Sequence, residues 1–394
     1  MPLAPLDDQE TYLYFEDTGA LLGIYTTLVI VHGSGYNSGI FKPMFVHAAA
    51  HGLRLVTVNR REYPNSTPLP DHELAMMRGG DIEAGKIFLR RRSLEVGQFL
   101  KWFLQKETIS PISTSAGGKD EGGLVLLGWS SGWVHIAPLL AYADELPDDI
   151  VNALTPYLKG LCSYGACYQS PPRSTISDSR TGQRTRFHFE DAPDLLMGFP
   201  RTGSSKDWYT AIPDDSLTLP EYCAWFINSV TSYYDHPGLQ TRDFDGFAQT
   251  GIANPPTDKR RTHDRMSLLD QEAILCASAI ERLERHLHKA PPEIFLFATE
   301  KIFDRANAAI WPKCKMYAVL CEETLWTCLL GGWQFEDMYQ RKKERGEVDR
   351  ELEVLAMPGC NHFPHWDKLE LTCKLLSEFF GQPQEAFDIG VARL

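Results

Sequence analysis

A four-residue apolar run, Leu124-Val125-Leu126-Leu127, leads directly into Gly128-Trp129-Ser130-Ser131-Gly132. The run is short enough to read as a strand buried on both faces. Trp133 to Tyr142 then reads as a helix. G-x-S-x-G in a strand–turn–helix setting forces a sharp turn and lifts the serine hydroxyl to the C-terminal end of its strand. The positions two before and two after the serine must be small, because the turn crowds them. The helix N-terminus behind the serine favours negative charge. Ser130 is therefore the candidate nucleophile.

The same strand-then-glycine pattern occurs upstream. Thr27-Leu28-Val29-Ile30-Val31 runs into His32-Gly33-Ser34-Gly35, and Leu53 to Asn59 forms a second apolar run. Residues 11 to 16 read as a strand, 41 to 51 as a helix closed by Gly52, and 82 to 106 carry apolar positions at helical spacing. Residues 159 to 167 read as a further strand. From 169 to 265 the texture shifts to Pro, Ser, Asp and Arg without a strong β run. Strand signals return at 314 to 320 and 351 to 357, before a helix from Lys368 to Phe380. The alternation predicts an α/β fold, with a mostly parallel sheet and helices on both faces.

Composition narrows the class. The 394 residues are 43% hydrophobic and 23% charged, which excludes a disordered or collagen-like chain. The formal charge of -13 argues against a nucleic-acid partner, which needs a basic footprint. Nine cysteines, with no C-x-x-C pair, read as buried small hydrophobes and not as a disulfide framework or zinc site. No metal site is expected. The start of the chain lacks a basic, then apolar, leader pattern, and no run of about 18 apolar residues predicts a membrane span. A cytoplasmic protein is the resulting expectation.

Two further segments complete a chemical site. A serine hydroxyl needs an adjacent base, and Pro358-Gly359-Cys360-Asn361-His362 follows the last predicted strand. A histidine on that loop suits proton transfer at neutral pH. His362 is the predicted base, and His365 is its rival. Acyl chemistry also needs donors aimed at the developing oxyanion. One is the backbone N–H of Ser131. The other comes from the upstream glycine loop, at Ser34 or Gly35, with Gly33 beside it. The loop is not a dinucleotide fingerprint, since Gly39 lies one position too far along. Gly35 and Trp129 are expected to line the substrate.

Strand-HGxG, strand-GxSxG and strand-PGxxH, in that order, resemble the α/β-hydrolase superfamily. The resemblance implies an eight-stranded, mostly parallel sheet and a Ser–acid–His triad in that chain order. It also implies an inserted, mainly helical lid after the sixth strand. Residues 1-168 and 276-394 would form the catalytic core and 169-275 the lid. Asn59-Arg60-Arg61-Glu62-Tyr63-Pro64 resembles the turn after the fourth strand in lid-bearing members. The acid is expected past the seventh strand. With that strand at Lys315 to Leu320, Glu322 is the expected acid, and Glu323 is the alternative. If Glu293 to Thr299 were the strand instead, Asp304 or Glu300 would serve. A strand at Lys315 leaves one helix before the histidine strand, as right-handed connections require.

The expected function is hydrolysis of an ester, lactone or thioester of a small apolar molecule through an acyl-enzyme on Ser130, with no cofactor. Epoxide hydrolases and haloalkane dehalogenases of this superfamily use Asp where this chain has Ser130. Lyase or acyltransferase chemistry on the same Ser–His pair, and a ligand-binding protein without turnover, are the alternatives.

Overall fold

The computed structural model describes residues 2–166 apart from 117 and 119, then 217–242 and 246–381. It also describes a short strand pair, Ile176–Ser177 with Arg184–Thr185. Eight strands form one sheet: β1 Leu3–Pro5, β2 Tyr12–Asp17, β3 Thr26–Val31, β4 Leu53–Val58, β5 Leu124–Trp129, β6 Leu158–Tyr164, β7 Lys315–Cys321 and β8 Leu352–Met357. Their order is β1-β2-β4-β3-β5-β6-β7-β8. β1 pairs antiparallel with β2, and β2 with β4. Every other pairing in the sheet is parallel.

The apolar runs become strands because both faces of the sheet are covered. β3, β4, β5 and β6 are buried along their whole length. Alternate side chains feed two cores. Val29, Val31, Leu124 and Leu126 face one, while Leu28, Ile30, Val125 and Leu127 face the other. Against the first core lie α1 (Ile82–Lys106), through Phe88, Phe99 and Phe103, and α2 (Gly132–Ala141), through Ile136, Leu139 and Leu140. A helix between β6 and β7, α3 (Leu219–Thr231), packs Tyr222 and Phe226 into the second core. After β7, α4 (Trp326–Glu344) returns Phe335, Met338 and Tyr339 to the first core. The last helix, α5 (Leu369–Phe379), closes the second core with Leu375 and Leu376. Helices on both faces of a mostly parallel sheet are what the sequence predicts.

Several boundaries differ from expectation. Residues 41 to 51 are a chain of short turns, Ser38–Met44 and Ala49–His51 as 3₁₀ and Phe45–Ala48 as α. Pro43 lies inside the first turn, and Gly52 ends the series at φ 65°. The stretch from Glu293 to Thr299, a candidate strand by composition, lies in the helix Pro292–Lys301. That removes the alternative seventh strand, leaving β7 at Lys315–Cys321. Eight cysteines fall among the described residues; all eight are buried and none is in a disulfide. No helix among the described residues is long and apolar enough to cross a membrane.

Candidate active site

Ser130 follows β5 with φ 53°, a left-handed conformation that costs a non-glycine residue of order 1–2 kcal/mol. The turn is tight for identifiable reasons. A Cβ on Gly128 would sit 2.6 Å from the Trp133 nitrogen, and one on Gly132 would sit 2.3 Å from the Val31 carbonyl oxygen. A Cβ on Gly33 would lie 2.8 Å from Ser130 Cβ, so the upstream glycine loop passes directly against the serine. The Ser130 N–H donates to the Tyr164 carbonyl at 2.8 Å, which fixes the turn to the end of β6. The Ser130 side chain remains half-buried.

Ser34 and Ser131 flank this serine. Among the described residues, neither backbone N–H is paired with an acceptor. Gly35 differs: its N–H donates to the Tyr63 hydroxyl at 2.9 Å. Of the two candidate upstream donors, Ser34 is therefore the one left available. The Gly33 carbonyl is occupied, accepting from Arg60 Nη2 at 2.8 Å. Trp129 is buried, with its indole N–H donating to the His362 carbonyl at 3.0 Å. Its ring packs on Phe41, Phe363 and His365, so it supports the site from beneath.

His362 lies at the same end of the sheet. A Cβ on Gly165, the residue after β6, would meet its imidazole at 3.2 Å. Asn361 anchors the loop, donating from Nδ2 to the Thr231 carbonyl at 3.0 Å and to Thr262 Oγ1 at 2.8 Å. His362 is 2% exposed, and burial lowers its pKa to about 3. His365 is buried too and is pushed well below its ordinary value, by burial first and His362 second. Its Nδ1 lies 3.3 Å from the Tyr164 hydroxyl.

The expected acids do not reach His362. Glu323 forms an ion pair with Lys259 at 2.6 Å. Glu322 is half-buried, its pKa raised by burial and by Glu323, and its backbone N–H donates to the Met357 carbonyl. Asp304 pairs with Lys342 at 3.4 Å, and both Asp304 and Glu300 are exposed. The group beside His362 Nδ1 is Thr324 Oγ1, at 3.3 Å, with Cys328 Sγ at 3.8 Å. Among the described residues, no carboxylate is hydrogen-bonded to this histidine. The loop after β7 turns Thr324 inward, 1% exposed, and leaves its two glutamates half-buried and away from His362.

Beside the serine lies a buried polar cluster that the sequence did not reveal. Arg60 donates its backbone N–H to His32 Nε2 at 3.1 Å, and its guanidinium reaches His135, Tyr63 and Glu284. Glu284 sits at the end of a π-helical turn, Ile280–Glu284, and its carboxylate also accepts from Tyr63 and Ser34. Burial would raise Glu284, but the Arg60 guanidinium and the two hydroxyl donors hold it below its usual value. His288 is 3% exposed. Burial lowers its pKa to about 4 against the pull of Glu284.

These buried, neutral histidines make stability depend on pH. An unfolded histidine titrates near 6.5. Below that pH the unfolded chain takes up protons that the folded chain refuses. The stability is present above about pH 6.5 and is lost as pH falls toward the folded values, about 3 for His362 and about 4 for His288. At pH 5 each costs about 2 kcal/mol. His32, His135 and His365 act in the same direction. The urea midpoint is expected to fall steeply between about pH 7 and pH 5. A flat midpoint over that range would contradict the buried neutral assignment.

No family model matches the sequence, and no curated protein does. Solved structures do. A bromoperoxidase from Bacillus anthracis is similar at 13% identity, covering 96% of this chain and 98% of its own, with a TM-score of 0.48. An esterase from Exiguobacterium antarcticum is similar at 14% identity, covering 94% and 96%, with a TM-score of 0.45. Epoxide hydrolase I from potato, Solanum tuberosum, is similar at 13% identity, covering 93% and 95%, with a TM-score of 0.44. The fold is settled by the chain's own geometry. A sheet ordered β1-β2-β4-β3-β5-β6-β7-β8, a strained serine turn after β5 and a histidine loop after β8 give this chain the α/β-hydrolase fold.

Proposed function

We propose that the protein is a serine hydrolase that cleaves an ester, lactone or thioester of a small, apolar molecule. The observation that carries the reading is Ser130 held at φ 53°, with two unclaimed N–H groups, on Ser34 and Ser131, beside it. A strained turn persists only where its surroundings enforce it, and such strain concentrates at functional sites. Ser130 Oγ attacks the carbonyl carbon while His362 Nε2 accepts the hydroxyl proton. The carbonyl electrons move to oxygen, and the Ser34 and Ser131 N–H groups hold the resulting oxyanion. The leaving group departs with the proton from His362. Water, deprotonated by the same histidine, then releases the acid and restores Ser130.

Thr324 takes the place next to Nδ1 that a carboxylate fills in a full triad. For Nε2 to be the base, Nδ1 must carry the proton and Thr324 Oγ1 must accept it. The pair is then a Ser130–His362 dyad oriented by a threonine. Residues 169–275 serve as a lid in this reading, although residues 167–216 lie largely outside the described region. What is described of it packs on the site: a Cβ on Gly35 would touch Phe226 at 2.8 Å, and Tyr233 donates to Asp367 at 2.7 Å. Apolar side chains at this approach favour an apolar acyl or alcohol group.

A ligand-binding role without turnover is the second reading, favoured by the threonine where a carboxylate is expected. Hydrolysis of p-nitrophenyl esters of graded chain length, and of simple lactones, separates the two. Turnover by the wild type that disappears in Ser130→Ala supports the hydrolase. Tight binding of these compounds with no turnover supports the binder.

A further inference from the structure

We propose that Glu284 and His288 are positioning residues that set the oxyanion hole of the Ser130 site through the side chain of Ser34; the proposal rests on the hydrolase reading. Ser34 and Ser131, which carry the two N–H donors of that hole, are also joined through their side chains. Their hydroxyl oxygens lie 2.8 Å apart. Ser34 Oγ lies 2.5 Å from Glu284 Oε2 and 2.9 Å from His288 Nε2. All four residues are buried.

The donors and acceptors fit together in one arrangement. Glu284 Oε1 already accepts from Arg60 Nη2 at 2.6 Å and from the Tyr63 hydroxyl at 2.8 Å. Its other oxygen accepts the Ser34 hydroxyl proton, and a bond to a charged acceptor is the stronger kind. Ser34 has one proton, so its lone pairs must accept from the remaining neighbours. These are the Ser131 hydroxyl and the N–H at His288 Nε2. His288 is uncharged in its buried setting, so Nδ1 must be an acceptor. The Tyr222 hydroxyl donates to it at 2.9 Å. Protons thus run from Tyr222 to His288, from His288 to Ser34 and from Ser34 to Glu284, with Ser131 also donating to Ser34.

This chain of bonds removes rotational freedom from both serine hydroxyls. The loop after β3 and the turn after β5 are thereby held in one relative position. Arg60 adds to the hold, since the guanidinium that neutralises Glu284 also donates to the Gly33 carbonyl. A hole is useful only when its donors are already aimed at the site where charge develops. The cluster lies in the fold where it can aim them, and it joins elements that are 97 and 250 residues apart in the chain.

The test compares kcat and KM for a p-nitrophenyl ester, and affinity for an aryl trifluoromethyl ketone, in folded variants. The ketone adds to Ser130 and places an oxyanion in the hole. Ser34→Ala should lower kcat by about 30-fold with little change in KM, and weaken the ketone by a similar factor. Ser131→Ala, which leaves the bonds of Ser34 to Glu284 and His288 in place, should lower kcat in the same way but by less. Because the one bond that Ser131→Ala removes is already lost in Ser34→Ala, the double variant should be no worse than Ser34→Ala alone. His288→Leu should reproduce the loss, and His288→Gln, which keeps an N–H donor, should recover most of it. Glu284→Gln should show the same pattern if it folds; if it does not, the serine cycle and the His288 pair decide. Unchanged kcat in Ser34→Ala, multiplying losses in the double variant, or a kcat loss without a loss of ketone affinity would overturn the proposal. If wild type turns over and Ser130→Ala does not, such a result refutes the positioning network and leaves the hydrolase reading intact. A wild type without turnover, or an active Ser130→Ala, refutes both.

Discussion

Thr324→Asp raises kcat for ester hydrolysis by about 10- to 100-fold at pH 8 and gives the pH–rate profile a new limb near neutrality. The reason lies in what His362 lacks. Burial lowers its pKa to about 3, and the neighbour at Nδ1 is the uncharged Thr324 hydroxyl at 3.3 Å. When Ser130 gives up its proton, an imidazolium forms in an apolar setting with no negative charge to stabilise it. In a full triad the buried carboxylate holds the tautomer and stabilises the imidazolium, and its loss costs about 10⁴ in kcat. Aspartate is close to threonine in volume, so the fold can accept it where Thr324 sits. The carboxylate also raises the histidine's affinity for a proton. In wild type His362 is already neutral throughout the accessible range, so kcat/KM has no limb from its protonation between about pH 6 and 8. In the variant such a limb appears. Stopped-flow and steady-state assays across that range check both parts. An inactive but folded variant, or a wild-type limb near pH 6.5, would contradict the threonine-oriented dyad.

Ser130→Ala removes turnover almost wholly. Removing a nucleophile of this kind costs about 10⁶ in kcat, and the residue of activity comes from the hole and from binding. The substitution carries its own structural consequence. Ser130 has φ 53°, and alanine cannot relieve that strain. The Ser130 N–H bond to Tyr164 is a backbone bond and survives the change. The variant should therefore fold as wild type does and bind substrate with a similar KM-like affinity. His362→Ala should cost nearly as much, and the double variant little more than either, since serine and histidine act as one unit. Losses that multiply would show that the two residues do not share a reaction step.

How far these residues were legible in the sequence depends on the range of the forces involved. β3, β4 and β5 were visible because a strand covered on both faces must be apolar throughout. Ser130 was visible because its turn is local: Gly128 and Gly132 are demanded by atoms a few residues away or on the next strand. β1, with three residues paired only to β2, carries no pattern of its own. Glu293 to Thr299 looks like a strand and is a helix, since Ile294 packs into α1 at Gly85 and apolar residues are needed there for another reason. The neighbour of His362 was hidden for a similar cause. Cys321-Glu322-Glu323-Thr324 offers two acids to a reader, but Lys259, 64 residues upstream, draws Glu323 away. Tertiary contacts of that range decide which side chain of a loop turns inward. The Ser34–Glu284–His288 cluster joins residues up to 254 positions apart and has no local signature at all.

The most direct test of Ser130 as the nucleophile is labelling of the intact protein by a fluorophosphonate, located by peptide mass spectrometry. An activated serine beside an open oxyanion hole should form a single phosphonyl adduct on Ser130, absent in Ser130→Ala and strongly slowed in His362→Ala. An adduct on another residue, or equal labelling of Ser130→Ala, would contradict the assignment of this serine as the nucleophile.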